Sequence, residues 1–325
     1  MTVLSTSQEW FRVLSQFCQS ISVDQIGIAR IGDLSSQSFY REWLDAGFAG
    51  EMDYLQTHFA DRYTLHHVLN GACSVLMVRV NYYQEMQGQA HDLKIARYAL
   101  GRDYHQVIKK KLKQVESQFL NFFPQAKTRI CVDSVPIPER DLAYLAGLGW
   151  FGKNSCLINT HEGSWFFLGG IITDLEIEPS QPVQGGCGTC SRCIDACPTG
   201  AIVQLNGHWT INSSRCISYL TIEKRGHFSK AEAESIGNWT VGCDVCQEVC
   251  PFNQPRAHHP LRSQITNVED FLDHAQMPNL VEMIQLSESD WKTISQGRAW
   301  KRCGYFGIVR NAKANIANQT RTSVD

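Results

Sequence analysis

Two short cysteine runs constrain this chain more than anything else in it: CGTCSRCIDACP from Cys187 to Pro198, and CDVCQEVCP from Cys243 to Pro251. In the first, Cys187, Cys190, Cys193 and Cys197 are spaced C-x2-C-x2-C-x3-C and followed by proline. That is the ferredoxin-type run whose fourth cysteine ligates a second cluster. The second run holds the last three members of the same pattern, Cys243, Cys246 and Cys250, and lacks the first; Cys216, in SSRCISY, is the candidate replacement. The ligands then close into two sets of four. Cys187, Cys190, Cys193 and Cys250 hold one 4Fe–4S cluster, and Cys197, Cys216, Cys243 and Cys246 hold the other. Thiolates suit this iron because soft, charged sulfur matches the metal and offsets its charge. Two four-cysteine zinc sites are the competing assignment, since paired C-x2-C units also serve zinc. The triplet spacing and the proline after each fourth cysteine stand against zinc. Two clusters side by side make a wire for single electrons, which raises the question of where the electrons end.

The chain has 325 residues and a net charge of −2. It is long enough for two domains with apolar cores, and as a whole it is neither a polybasic nor a strongly acidic binder. MTVLSTSQEWFRVLSQFC reads as the start of an amphipathic helix, without the basic and apolar regions of a signal peptide. No window approaches eighteen uninterrupted apolar residues, so no membrane partner is expected. The expected compartment is the reducing cytoplasm, where thirteen cysteines are metal ligands or catalysts more often than disulfides. Cys18, Cys73, Cys131, Cys156 and Cys303 sit in apolar contexts and read as core residues.

Trp10, Val13, Leu14, Phe17, Cys18 and Ile21 follow helical spacing. QIGIARI, SVLMVRVNY, RICVDSV and SWFFLGGIITDL read as strands. DYHQVIKKKLKQVESQFLNFF is a long helix, with Asp103 as its cap, Gln106 three residues on, and Val107, Ile108, Leu112, Val115 and Phe119 as its buried stripe. ERDLAYLAGLGW is a short helix stopped by glycine. Around EPSQPVQGG the composition turns to Pro, Gln and Gly, which marks a linker. The expected architecture is α+β: a mixed α/β domain over residues 1–178, a ferredoxin-like two-cluster domain over 179–256, and a helical, basic C-terminal segment over 257–325.

A terminal electron acceptor is not announced by the common motifs. GLGWFG satisfies G-x-G-x-x-G, but it follows a helix and carries Trp150 and Phe151 where backbone would have to approach a pyrophosphate. Asn154 replaces the Ser/Thr of a P-loop. Asp133 lies at the end of the apolar strand RICVDSVP, where a carboxyl is partly desolvated and its pKa raised. A carboxylic acid that stays protonated near neutrality is a general-acid candidate; a turn-forming Asp fits the same spacing. His105 is either a surface histidine or a substrate contact. From Lys292 to Arg321 there are seven basic residues and no acidic one, among them Arg298, Lys301, Arg302 and Arg310, with Trp300, Tyr305 and Phe306 interleaved and Trp291 just before. Such a segment is either a phosphate-binding footprint or a solvated helix face.

Taken together, ARYALGRDYH, VDSVPIPERDLAYLAGLGWFGKNSCLI, GSWFFLGGIITDL, the two cysteine sets, RCISYLTIEKRG and the RNA tripeptide at Arg310–Ala312 resemble the epoxyqueuosine reductase family over nearly the whole chain. The resemblance implies cobalamin as the acceptor, lodged between the N-terminal domain and the ferredoxin-like domain and reduced through the clusters by an external electron donor. It implies as substrate a tRNA carrying epoxyqueuosine in its anticodon loop, and Asp133 as proton donor. Cobalamin contacts would fall on Arg62, Ala96, Asp133, Leu157, Leu168, Ser218 and Tyr219, and tRNA contacts on His105, Arg298, Lys301, Arg302 and Arg310. A monomer is expected. The cobalamin motif D-x-H-x-x-G is not met, since Asp103-Tyr104-His105 runs on to Ile108. Longer family members continue into HEAT-like repeats, whereas this sequence stops soon after Arg310. A cobalamin-dependent dehalogenase, a pure electron carrier and a nucleic-acid binder with structural clusters are the alternatives. The absent export signal tells against the first and the long mixed domain against the second, and retention of cobalamin would exclude the third.

Overall fold

Short β-branched runs supply the central sheet. The computed structural model describes residues 4–5, 9–32, 34, 36–86, 93–274 and 277–322. Its strands are β1 (Gln25–Arg30), β2 (Ser74–Asn81), β3 (Lys94–Ile95), β4 (Thr128–Cys131), β5 (Trp150–Phe151), β6 (Leu157–Ile158), β7 (Phe166–Thr173), β8 (Ile202–Leu205), β9 (His208–Ile211) and β10 (Trp239–Val241). β1, β2, β7 and β4 form one sheet in that order, with every neighbouring pair antiparallel. β2 is buried along almost its whole length because both faces of the sheet are covered.

On one face, helices Glu9–Ser20 and Tyr104–Phe122 bring Trp10, Leu14 and Cys18 against Ile108, Leu112, Val115 and Phe119. Burying each large side chain there contributes about 1.5–3 kcal/mol. The long helix lies close because β7 carries glycine at the crossing: a Cβ on Gly169 would stand 2.8 Å from both Ile108 and Leu112. On the other face, Leu142 and Ala143 of helix Glu139–Leu145, with the following Ala146, pack on Ala29, Val75, Met77 and Ile172. The α+β expectation holds. Asp103 caps the long helix as expected, but its side chain accepts from the His105 amide and not from Gln106.

The cysteine-rich part is tied to this sheet unit by more than one chain crossing. β10 pairs parallel with β3. Arg97 reaches the buried Asp244, at 3.2 Å, and Glu248, at 2.7 Å, on either side of Cys246. The stretch expected as a linker is a bonded seam: Ser180 donates its amide to Ile28 O and accepts the Ile28 amide on its hydroxyl. Helix Gly304–Thr322 closes the far side. Its buried Arg310 donates to Leu220 O, Lys224 O and Gly226 O, and Asn311 donates to Thr221 O and Thr240 O. Among the described residues no helix is long and apolar enough to cross a membrane.

Candidate functional site

Cys187, Cys190, Cys193 and Cys250 line one small cavity together with Asn154, Ile158, Pro251 and Phe252. Cys193 and Cys246 ride on two short helices, Arg192–Ala196 and Val245–Glu248, and these pack on each other. Cys216 stands at the start of helix Ile217–Ile222 and feels the charge of Cys246 and Cys197; Cys243 feels Cys216 and Cys246. Cys193 feels Cys246 as well as its own set, so the two groups of four adjoin. Backbone amides already point at two of the sulfurs, Lys153 N to Cys187 Sγ at 3.4 Å and Ala201 N to Cys197 Sγ at 3.3 Å.

Around Asp133 four elements converge. β4 ends at Cys131, and Asp133 itself adopts a left-handed conformation, φ 43°, which turns its carboxylate into an open cleft where its side chain is 56% exposed. Two anchors hold it there. The Asp133 amide donates to Glu139 Oε1 at 2.6 Å, and Asp133 Oδ2 accepts from Tyr104 Oη at 2.6 Å and meets His105 Nε2 at 3.0 Å. His105 Nδ1 lies 2.7 Å from Asp103 Oδ1, so the imidazole bridges two carboxylates. The Tyr104 ring is clamped by near-parallel stacking on Phe167, with centroids 4.4 Å apart.

These contacts correct the sequence expectation for Asp133. Its pKa is lowered and not raised, chiefly because His105 hydrogen-bonds the carboxylate, and the Tyr104 hydroxyl adds to this against the opposing effect of burial. Burial disfavours the charged form of His105, but the Asp103 and Asp133 carboxylates overcome it and raise the imidazole to about 9. Near neutral pH the proton of this pair rests on His105. Glu139 is pushed up to about 8, by burial first and by the Asp133 charge second, so its carboxyl is largely neutral.

The residues expected to touch cobalamin divide. Arg62 donates to Ile137 O at 3.1 Å, while its buried Nε has no partner among the described residues. Leu168 and Ser218 are half-buried and keep some surface. Ala96, Leu157 and Tyr219 are packed in the interior, at 1%, 5% and 6% exposure. The Ala96 amide is taken by Val241 O, and the Tyr219 hydroxyl accepts from the Glu51 amide. They have little surface left for a corrin.

The basic segment also divides. Arg298 is buried and bonded to Asp273, and Arg310 is buried against backbone carbonyls with its guanidinium 3.9 Å from the centre of the Phe228 ring. Neither is free to meet a phosphate, because folding has already satisfied both. Trp291 and Trp300 are likewise buried, against each other, and offer no stacking surface. Lys301 and Arg302 are exposed; Arg302 forms a two-pronged pair with Glu223, at 2.9 and 2.8 Å, and its charge reaches Asp133. Phe306 is 50% exposed. His105 lies in the Asp133 cleft.

Sequence reasoning missed Tyr104 and Glu139 as partners of Asp133, and Asp103 as the partner of His105. Only the capping position of Asp103 carried a local signal. It also took Cys156 for a plain core cysteine, whereas Cys156 raises the pKa of Cys246, one of the expected ligands.

Comparison with known proteins adds independent findings. Residues 186–253 match the family described as a 4Fe-4S double cluster binding domain, and residues 62–134 match that described as epoxyqueuosine reductase QueG, DUF1730. The chain is 38% identical to the epoxyqueuosine reductase of Salmonella typhimurium strain LT2, over 94% of this chain and 79% of that protein. A crystal structure of epoxyqueuosine reductase with an epoxyqueuosine-modified tRNA-Tyr stem loop superposes with a TM-score of 0.80 at 28% identity, covering 97% of this chain and 84% of that one. The Bacillus subtilis epoxyqueuosine reductase, solved with its catalytic aspartate loop swung out of the active site, superposes with the same TM-score of 0.80, identity of 28% and coverage of 97% and 84%.

Proposed function

This chain belongs to the epoxyqueuosine reductase family, an oxidoreductase family, and on that premise we propose that it reduces epoxyqueuosine to queuosine in the anticodon loop of tRNA, with cobalamin as the acceptor fed by its two clusters. The observation that carries the reading is the exposed Asp133 carboxylate paired with a protonated His105, in a fold shared with a reductase solved on its modified tRNA stem loop. A tRNA substrate is in keeping with a cytoplasmic enzyme.

The residues present fit cobalamin in part. Arg62 has an unpartnered buried Nε, and Leu168, Ser218 and Asp133 keep surface, so these four are the contacts retained from the wider set. When bound, the clusters and cobalamin supply single electrons to the epoxide carbon. The net change from epoxide to alkene and water consumes two electrons, from an external low-potential donor, and two protons.

Proton handling falls to the protein. Asp103 holds the His105 ring in orientation through Nδ1, and Nε2 carries a proton 3.0 Å from Asp133 Oδ2. Asp133 receives that proton as the epoxide oxygen draws on its carboxyl, so the carboxyl is a donor refilled from behind and not a permanently protonated acid. Tyr104 fixes the same oxygen, and Glu139 fixes the backbone that aims it. Nucleoside entry requires the base to leave its stack, as in other enzymes that act on bases. Exposed Lys301 and Arg302 remain as candidate phosphate contacts.

The test is anaerobic reconstitution with iron, sulfide and cobalamin, then incubation with epoxyqueuosine-containing tRNA and a reductant, with nucleosides read by mass. Loss of one oxygen that requires cobalamin supports the reading. Retained cobalamin beside untouched tRNA would sink it.

A further inference from the structure

We infer that Lys153 sets the reduction potential of the cluster held by Cys187, Cys190, Cys193 and Cys250, making that cluster the preferred resting place of an incoming electron. The hairpin β5–β6 presses its turn, Gly152–Cys156, onto the first cysteine run. Trp150 of β5 and Ile158 of β6 pack with Cys250, Cys187 and Phe252. From this turn the Lys153 amide donates to Cys187 Sγ at 3.4 Å. Its ammonium donates to Gly188 O and Cys190 O, both at 2.9 Å, within the same C-x2-C loop. The next residue, Asn154, is 2% exposed, lines the cavity of that cysteine set, and donates to Cys246 O in the other set at 3.3 Å.

Reduction adds a negative charge to a cluster. Hydrogen bonds to the ligand sulfurs, net charge nearby and solvent exposure are the quantities that move cluster potentials. An N–H aimed at a ligand sulfur and a fixed cation within the same loop both favour the reduced form. In a partly desolvated setting the cation acts with less screening than it would in bulk water. The position also makes functional sense. Gly188 and Thr189 of this loop are exposed, so an external donor can reach the loop that Lys153 holds. GLGWFGKN, which matches neither a dinucleotide nor a nucleotide-phosphate site, thereby acquires a role.

The inference rests on the cluster assignment and not on the nucleoside substrate, so the two can fail separately. Redox titration of the reconstituted chain, followed by electron paramagnetic resonance, reads each cluster without turnover. Lys153→Gln, which keeps a donor and removes the charge, is expected to shift the reduced-to-oxidised ratio of one cluster roughly tenfold toward oxidised at fixed potential, about 59 mV for one electron. The other cluster should not move, and Lys153→Arg should restore the parent value. An unchanged potential in Lys153→Gln with eight irons retained would overturn the inference. So would loss of four irons from Lys153→Gln with rescue by Lys153→Arg and no shift in the remaining couple, which would make the lysine a staple for the loop.

Discussion

The cysteine cradle takes seven of its eight thiols from two runs of at most eleven residues, and only Cys216 comes from elsewhere. The Asp133 cleft gathers its groups from separate parts of the fold: Asp133 after β4, Tyr104 and His105 from the first turn of the long helix, Asp103 from that helix's cap, and Glu139 from the start of another helix. In the cradle the chemistry belongs to the residue type, since a thiolate at the right spacing holds iron whatever lies behind it. In the cleft the chemistry belongs to the neighbours, since they decide whether an aspartate is an acid or a carboxylate.

The contrast predicts how each region breaks. Cys216→Ala should remove one cluster completely, leaving about four irons per chain where the parent holds about eight; iron and sulfide analysis reads this directly. A full complement in Cys216→Ala would mean that Cys156, beside Cys246, or another thiol takes its place. Asp133→Asn should retain all the iron and reduce turnover on the order of 10²- to 10⁴-fold. Undiminished turnover would remove it as the donor.

His105 sharpens the second case. Its proton is held below a pKa of about 9, so parent turnover should fall as pH rises through about 9, and His105→Gln should be slow and lack that limb. The same shift has a stability side. The contribution of His105 is complete below its unfolded value of 6.5 and is lost as pH rises through about 9. Glu139 has the opposite charge type and the same direction of loss: folded Glu139 keeps its proton between 4.5 and about 8 while the unfolded chain has released it, so stability falls as pH rises across that window. Glu139→Gln should flatten this slope in thermal melts taken across pH.

The smallest effect concerns the basic segment. Replacing Lys301 and Arg302 by Gln should lower the salt dependence of tRNA binding by about one unit of slope for each phosphate no longer neutralised. Arg310→Ala should leave that slope alone and destabilise the fold, at about 1–3 kcal/mol for each buried carbonyl left without a donor. An unchanged slope in the Lys301 and Arg302 variant would return the segment to a plain solvated face.

What was legible in the sequence follows the same division. The double-cluster region could be read because metal geometry imposes local spacing. The sheet and the long helix could be read because their apolar periods are strong, although the expected linker proved to be a bonded seam at Ser180. The position of Asp133 could be read, but not the direction of its pKa shift, because His105 and Tyr104 stand 28 and 29 residues away in sequence. Arg310 was misread because a cation bonded to backbone carbonyls leaves no acidic partner in the sequence to betray it, and Arg298 because its partner Asp273 stands 25 residues away. Asn311 and Asn315, both fully buried on the same helix, are the trace that burial left.

The three carbonyls gathered by Arg310 also impose an order of events during synthesis. Every cysteine of both sets lies between residues 187 and 250, so the ligands are complete while the Gly304–Thr322 helix is still unmade. The helix that follows Cys216 and the loop beyond it lack the donors for Leu220 O, Lys224 O and Gly226 O until that later helix docks. The helix that Cys216 begins is therefore fully braced only once Gly304–Thr322 has docked.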